Sequence, residues 1–227
     1  MKKRLPLLLL FCAVFLSSCG SLSGQELGFK AGLSRSLADF SRGLPGITLQ
    51  SMNDYSAGIF ISLDLFGGQL GLQPEVNYIV KGFDAREMDR GAKISSQYKI
   101  SYIEVPFLVY YRAPLKGRFK PGVCFGPYLG FAHKVQEVQT AFGETEKRAL
   151  DDNLKGEDFG LVFGGNMKYR VGFINLMLDI RYSLGFNNIS QDIMDVAYEF
   201  RQDDEIKNRA LVVSLGAGLN LTRKKDS

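Results

Sequence analysis

From Gly172 to Phe186 the chain sorts its side chains by parity. Ile174, Leu176, Leu178, Ile180, Tyr182, Leu184 and Phe186 fall on one side. Asn175, Met177, Asp179, Arg181, Ser183 and Gly185 fall on the other. Successive side chains of a strand point to opposite faces, so this segment reads as one long two-faced strand. One face is large and apolar, and the other is small or polar.

The pattern recurs along the chain and predicts eight strands, at 25–36, 54–66, 69–82, 97–113, 118–134, 157–170, 172–187 and 207–222. No 11-residue window across this body has a helical period. The connections alternate in length. Phe66-Gly67-Gly68-Gln69, Pro114 to Gly117 and Arg170-Val171-Gly172 read as tight turns. Between them lie long polar segments at 37–53, 83–96, 135–156 and 188–206. Long and short connections in alternation suit an all-β, eight-stranded antiparallel up-and-down barrel with two unlike rims. Twenty-five glycines, 27 Phe and Tyr residues and no Trp agree with that class better than with a helical bundle.

Alternation alone does not say which face is inside, because a soluble ligand-binding barrel alternates too. Volume decides. The interior of an eight-stranded barrel is only just wide enough for side chains to fill it. The face carrying Ile59, Ile61, Val105, Phe107, Phe125, Leu129, Phe163 and Leu215 is too bulky for that space. It must face outward, into lipid, and the barrel is expected to span a membrane. Tyr111, Phe119, Tyr169 and Phe173 gather near the short turns and read as an interfacial aromatic girdle. Arg35, Lys99 and His133 share the outward parity but sit near the other rim.

The N-terminus reads as a targeting segment. Lys2, Lys3 and Arg4 precede an apolar run from Leu5 to Leu16, too short for a membrane helix and suited to a signal peptide. Ser21-Leu22-Ser23 offers small residues for cleavage, giving a signal at 1–23, a barrel at 24–222 and a polar tail at 223–227. Leu16-Ser17-Ser18-Cys19-Gly20 offers a lipobox as the alternative, with Cys19 lipidated. Export of this kind, with an even strand number, predicts a bacterial outer membrane and both termini in the periplasm. Without Lys2, Lys3 and Arg4, the 28 basic residues become 25 against 24 acidic ones, so charge gives no argument for nucleic acid. Cys124 is then the only cysteine in the body of the protein, and it has no partner for a disulfide, a zinc site or thiol redox chemistry.

The inward face carries Lys30, Asp64, Glu75, Glu104, Arg112, Asp179 and Arg181. Charges in a narrow lumen must be paired or hydrated. The expectation is a salt-bridge network that fills the barrel, with an ionic gate or narrow ion path as the sharper alternative. The single histidine, His133, has no serine close by in sequence and reads as a rim residue at headgroup level. The chain has no nucleophile elbow, P-loop or zinc motif, so no catalytic residue, cofactor or metal is expected. Asp192, Asp195, Glu199, Asp203, Asp204 and Glu205 make an acidic external loop with only Arg201 opposing them. Cation bridging to lipopolysaccharide phosphates is its sharper reading.

Several short motifs, in order, resemble a known family. Tyr102-Ile103-Glu104-Val105-Pro106-Phe107 leads into Tyr110-Tyr111-Arg112. Gly126-Pro127-Tyr128-Leu129-Gly130 follows, then Asp158-Phe159-Gly160 with Gly164-Gly165. Leu178-Asp179-Ile180-Arg181-Tyr182-Ser183-Leu184-Gly185, Asn188-Ile189 and Lys207-Asn208-Arg209 complete the series. The chain resembles the PorT-like, porin-family outer-membrane barrels of Bacteroidetes and related bacteria. The resemblance implies an eight-stranded outer-membrane barrel and no single activity, although PorT itself serves type IX protein secretion. The chain departs from such barrels at its end, where Asn220-Leu221-Thr222 runs into a charged tail instead of a terminal aromatic. The expected function is that of a non-enzymatic integral outer-membrane protein with a filled polar lumen and long external loops. Its partners are outer-membrane lipid and, as a further class, other envelope or secretion proteins. The alternatives are an accessory protein of secretion or envelope assembly, a narrow pore, and a lipid-modifying membrane enzyme.

Overall fold

The structure is a computed structural model and describes residues 24–40, 47–89, 92–141, 144–151, 156–188 and 206–221. The expected signal segment with Cys19, the acidic run from Asp192 to Glu205 and the tail at 223–227 lie outside the described residues.

Among the described residues nine strands follow one another, each antiparallel to the strands it pairs with. They are β1 (Gly24–Phe40), β2 (Ile47–Leu65), β3 (Leu70–Asp89), β4 (Ala92–Arg112), β5 (Phe119–Ala141), β6 (Glu144–Asp151), β7 (Glu157–Val171), β8 (Ile174–Gly185) and β9 (Ile206–Asn220). The order β4-β3-β2-β1-β9-β8-β7-β5 closes on itself through a β4–β5 pairing. These eight strands form the ring, and its closure leaves none of the eight with a free edge, as a membrane interior demands.

β6 was expected to be loop. Among the described residues it pairs only with β5, from Val135↔Asp151 to Ala141↔Glu144. β5 meets β7 from Phe119 to Phe131 and turns to β6 beyond that point. The expected long loops are also shorter than their sequence suggested. β3, β4 and β5 run for 20, 21 and 23 residues. At about 3.4 Å per residue and a tilt near 40°, 20 residues rise about 50 Å, roughly twice the apolar band of such barrels. The excess stands at the long-connection end as a wall of sheet.

The short turns lie at the opposite end. Gly172 and Phe173 form a two-residue turn between the paired residues Val171 and Ile174, so β8 starts two residues later than its alternation suggested. Gly172 takes φ +62°, a left-handed conformation that glycine adopts without steric cost.

Register fixes the two faces. Ala217, Phe29, Ile59 and Val76 lie side by side on one outward rung. Lys30, Gly58, Asn77, Glu104, Gly130 and Asp158 lie on an inward one. Phe125, Phe163, Leu176, Ile180 and Leu215 are exposed, as are the girdle residues Tyr111, Phe119, Tyr169 and Phe173. Two residues that share the apolar, outward parity of β2 and β3, Leu63 and Val80, are buried instead. Leu63 sits between its cross-strand partners Gln25 and Leu72. Val80 lies opposite a β-bulge between Ser51 and Ser56, where simple alternation is interrupted.

The lumen holds more bulk than a mixture of Gly, Ser and charges. Phe60, Tyr102, Leu108, Tyr110 and Tyr128 are all at most 1% exposed. Their rings fit because glycines face them. A Cβ on Gly28 would overlap the Phe60 ring, and one on Gly71 would overlap Tyr110. Above them, Ile79, Phe83, Tyr98, Ile100, Tyr102, Val135 and Ile206 close the long-connection end with an apolar cluster.

Candidate functional site

Strand parity delivers charged side chains into the lumen at three levels. At the middle level, Lys30 from β1 meets Glu75 from β3 at 2.7 Å and Asp179 from β8 at 3.3 Å. Arg181 reaches Glu75 Oε2 with Nη1 at 2.7 Å and Asp179 Oδ2 with Nη2 at 2.7 Å. Its Nε donates to Asp179 Oδ1 at 2.9 Å, so the guanidinium grips this carboxylate with two prongs. Gln73 and Asn77 also donate to Glu75, at 2.7 and 3.0 Å. Two cations and two anions cancel. β3 and β8 are four places apart in the ring of eight, so the quartet spans the lumen from wall to wall.

Nearer the long-connection end, Lys81 is completely buried. It forms ion pairs with Glu104 and, at 3.0 Å, with Asp158. The Tyr128 hydroxyl donates to Asp158 at 3.0 Å, and its ring lies 4.5 Å from Lys81 Nζ. Asn208 donates to the same carboxylate at 3.0 Å and to the Tyr102 hydroxyl at 3.1 Å. Nearer the short turns, Lys168 pairs with Glu26 at 2.8 Å and Arg112 with Asp64 at 2.7 Å. The Tyr110 hydroxyl donates to Asp64, and Arg112 stacks over that tyrosine ring.

All seven residues singled out from the sequence lie in this lumen. Lys30, Glu75, Asp179 and Arg181 come together as one quartet. Asp64 pairs with Arg112, and Glu104 belongs to the Lys81 cluster. The expected network of seven left out Glu26, Lys81, Asp158 and Lys168, although Lys81 and Lys168 fall on the polar face of their strands by alternation. Each shares the inward parity of its own strand, and that parity was the signal available to find them. The clusters bring their carboxylates to cations at hydrogen-bond distance, an arrangement that fixes opposite walls to each other.

His133 faces outward. Its ring meets the Tyr78 ring edge-on at 5.6 Å, and it makes no hydrogen bond to a hydroxyl or carboxylate among the described residues. Arg35 and Lys99 at the same rim contact Ser51 and Asp54 at 3.0 and 2.9 Å. Among the described residues, no cluster of three His, Cys, Asp or Glu side chains has a metal-binding arrangement. Cys124 is a buried free thiol.

Comparison with known proteins agrees with this architecture. The model of a family described as outer membrane protein beta-barrel domain matches residues 21–191. No curated protein matches the chain. Neisserial surface protein A is similar in structure, at 14% identity over 85% of this chain and 96% of its own, with a TM-score of 0.44. The outer membrane protein OprG from Pseudomonas aeruginosa is similar at 13% identity over 90% and 99%, with a TM-score of 0.47. Ail, the attachment invasion locus protein of Yersinia pestis, is similar at 14% identity over 86% and 98%, with a TM-score of 0.39.

Proposed function

The chain belongs to the outer membrane protein beta-barrel domain family, and from that premise we propose a non-enzymatic outer-membrane protein whose plugged barrel carries a wall of sheet for contact with other molecules. The short turns and both termini face the periplasm in this reading, and the tall ends of β3, β4 and β5 with the β5–β6 hairpin face outward. The quartet of Lys30, Glu75, Asp179 and Arg181 is the observation that carries it. It joins opposite walls at mid-depth, where a pore would need open water. Planar-bilayer recording tests the plug: the barrel is expected to show no steady conductance of nanosiemens size. Surface labelling tests the orientation. A cysteine placed at Glu146 should react with an impermeant maleimide on intact cells, and one at Lys116 should not. The reverse pattern would invert the protein in the membrane.

A role as a PorT-like accessory of secretion or envelope assembly is the second reading. It rests on the motif resemblance. Those motifs supply Glu104, Tyr110, Arg112, Tyr128, Asp158, Asp179, Arg181 and Asn208, all of which point into the lumen. These eight positions belong to the packing of the barrel interior, whereas Ile103, Phe107, Tyr111, Leu129, Phe159 and Ile180 of the same motifs are exposed on the outer face. Deleting the gene and assaying extracellular protein would test it: unchanged secretion would remove this reading and leave the first intact.

A further inference from the structure

The short-turn mouth of the barrel holds more positive charge than its carboxylates balance. β5 and β7 set Lys120 directly opposite Lys168. At the next rung toward the rim, the Arg170 amide donates to the Arg118 carbonyl at 3.0 Å, so these two arginines are also neighbours across the strands. Arg112 joins them from β4. All five line a solvent-open recess that also contains Glu26 and Asp64. Glu26 is held by Lys168 and Asp64 by Arg112. Arg118, Lys120 and Arg170 form no ion pair among the described residues. Arg112, 6% exposed, keeps an Nε that has no acceptor among the described residues.

Like charges directly opposite each other weaken a sheet. Two successive rungs of them serve no purpose in holding β5 to β7. They suit a ligand that brings negative charge. Arginine presents a fork of donors that matches phosphate oxygens, and lysine adds a point charge. The three unpaired cations are matched better by a dianion than by a single carboxylate. The same strands carry Tyr111, Phe119 and Tyr169 on their outer face, which sets this rim at headgroup level. We infer that the short-turn mouth is a phosphate-binding site, formed by Arg118, Lys120 and Arg170 with Arg112 behind them. The phosphate comes either from a soluble phosphate compound or from the headgroup of a neighbouring phospholipid.

The test follows the thermal midpoint of the barrel by heat-modifiable gel mobility. In a phosphate-free non-ionic detergent, inorganic phosphate should raise the wild-type midpoint saturably, as a ligand of the folded state does. Chloride at matched ionic strength should not. The double variant Arg118→Gln/Arg170→Gln should lose at least about tenfold in apparent phosphate affinity, the equivalent of one charge-assisted contact. Without phosphate it should be at least as stable as wild type, because a repulsive pair has gone. Lys120→Gln serves as a second variant with a smaller loss, should the double variant fail to fold. Nanodiscs of neutral lipid with and without phosphatidylglycerol separate the sources. A variant-dependent rise with phosphatidylglycerol alone assigns the site to a headgroup, and one with inorganic phosphate assigns it to a soluble compound. If neither probe gives a variant-dependent rise, or if chloride reproduces it, the site is not there.

Discussion

Arg181 Nη1 lies 2.7 Å from Glu75 Oε2, although the two residues are 106 positions apart and stand on opposite sides of the ring. This contact ties β8 to β3 through the centre of the barrel, and each partner has a further ion pair behind it. Removing one member of a buried pair leaves the other charge uncompensated and costs about 3–5 kcal/mol. Arg181→Met and Glu75→Gln should each lower the urea midpoint of the barrel in lipid vesicles by an amount of that order. The double variant should lose less than the sum of the two, because neither charge is then stranded. Additive losses would show that the two side chains stabilise the barrel independently.

The lumen is filled by pairing large rings with glycines, and that makes it sensitive to added volume. A Cβ on Gly28 would overlap Phe60, and one on Gly71 would overlap Tyr110. Gly28→Val should destabilise the barrel by about 1–3 kcal/mol, the range for overpacking a tight interior. Gly28→Val combined with Phe60→Leu should recover part of the loss, because the ring that the new side chain strikes is gone. Equal stability of Gly28→Val and wild type in vesicle unfolding would mean that the lumen has space to spare.

Most of the ring was legible because lipid outside and a crowded lumen inside impose opposite demands on alternate residues. That contrast fixed Phe125 outward and Arg181 inward without any structure. It gave no help where both faces meet water. β6, Glu-Thr-Glu-Lys-Arg-Ala-Leu-Asp, has no apolar period, and its order comes from cross-strand partners such as Glu137↔Arg148 and Thr140↔Thr145. Those partners are set by a hairpin register that single-strand alternation does not encode. The lumen network was half visible for a related reason. Lys81 and Lys168 announce their face by parity, but their partners Asp158 and Glu26 come from strands three places away in the ring.

The lipid face predicts a depth-dependent cost of charge. Phe125 lies six residues along β5 from the girdle residue Phe119, near the centre of the apolar band, and is exposed. Phe125→Arg should cost about 2–4 kcal/mol, and Phe119→Arg at the rim only about 0–1 kcal/mol. Folding titrations into vesicles would measure both. A similar cost at the two positions would place the band elsewhere on the wall.

The β5–β6 hairpin should be separable from the barrel. β5 pairs with β7 as far as Phe131 and with β4 as far as Thr140, so ring closure uses no hydrogen bond to β6. From Glu144 to Ala149 every side chain of β6 is exposed, and among the described residues the strand has no second neighbour in the sheet. Replacing residues 139–148 with a short Asn-Gly turn removes exposed pairs whose individual contributions are about 0.2–1 kcal/mol. The shortened protein should keep heat-modifiable mobility and a urea midpoint close to wild type, well above that of Arg181→Met. Any partner captured through the tall wall should then bind the full chain and not the shortened one. A loss of stability as large as that of Arg181→Met would instead make the hairpin part of what keeps the ring closed.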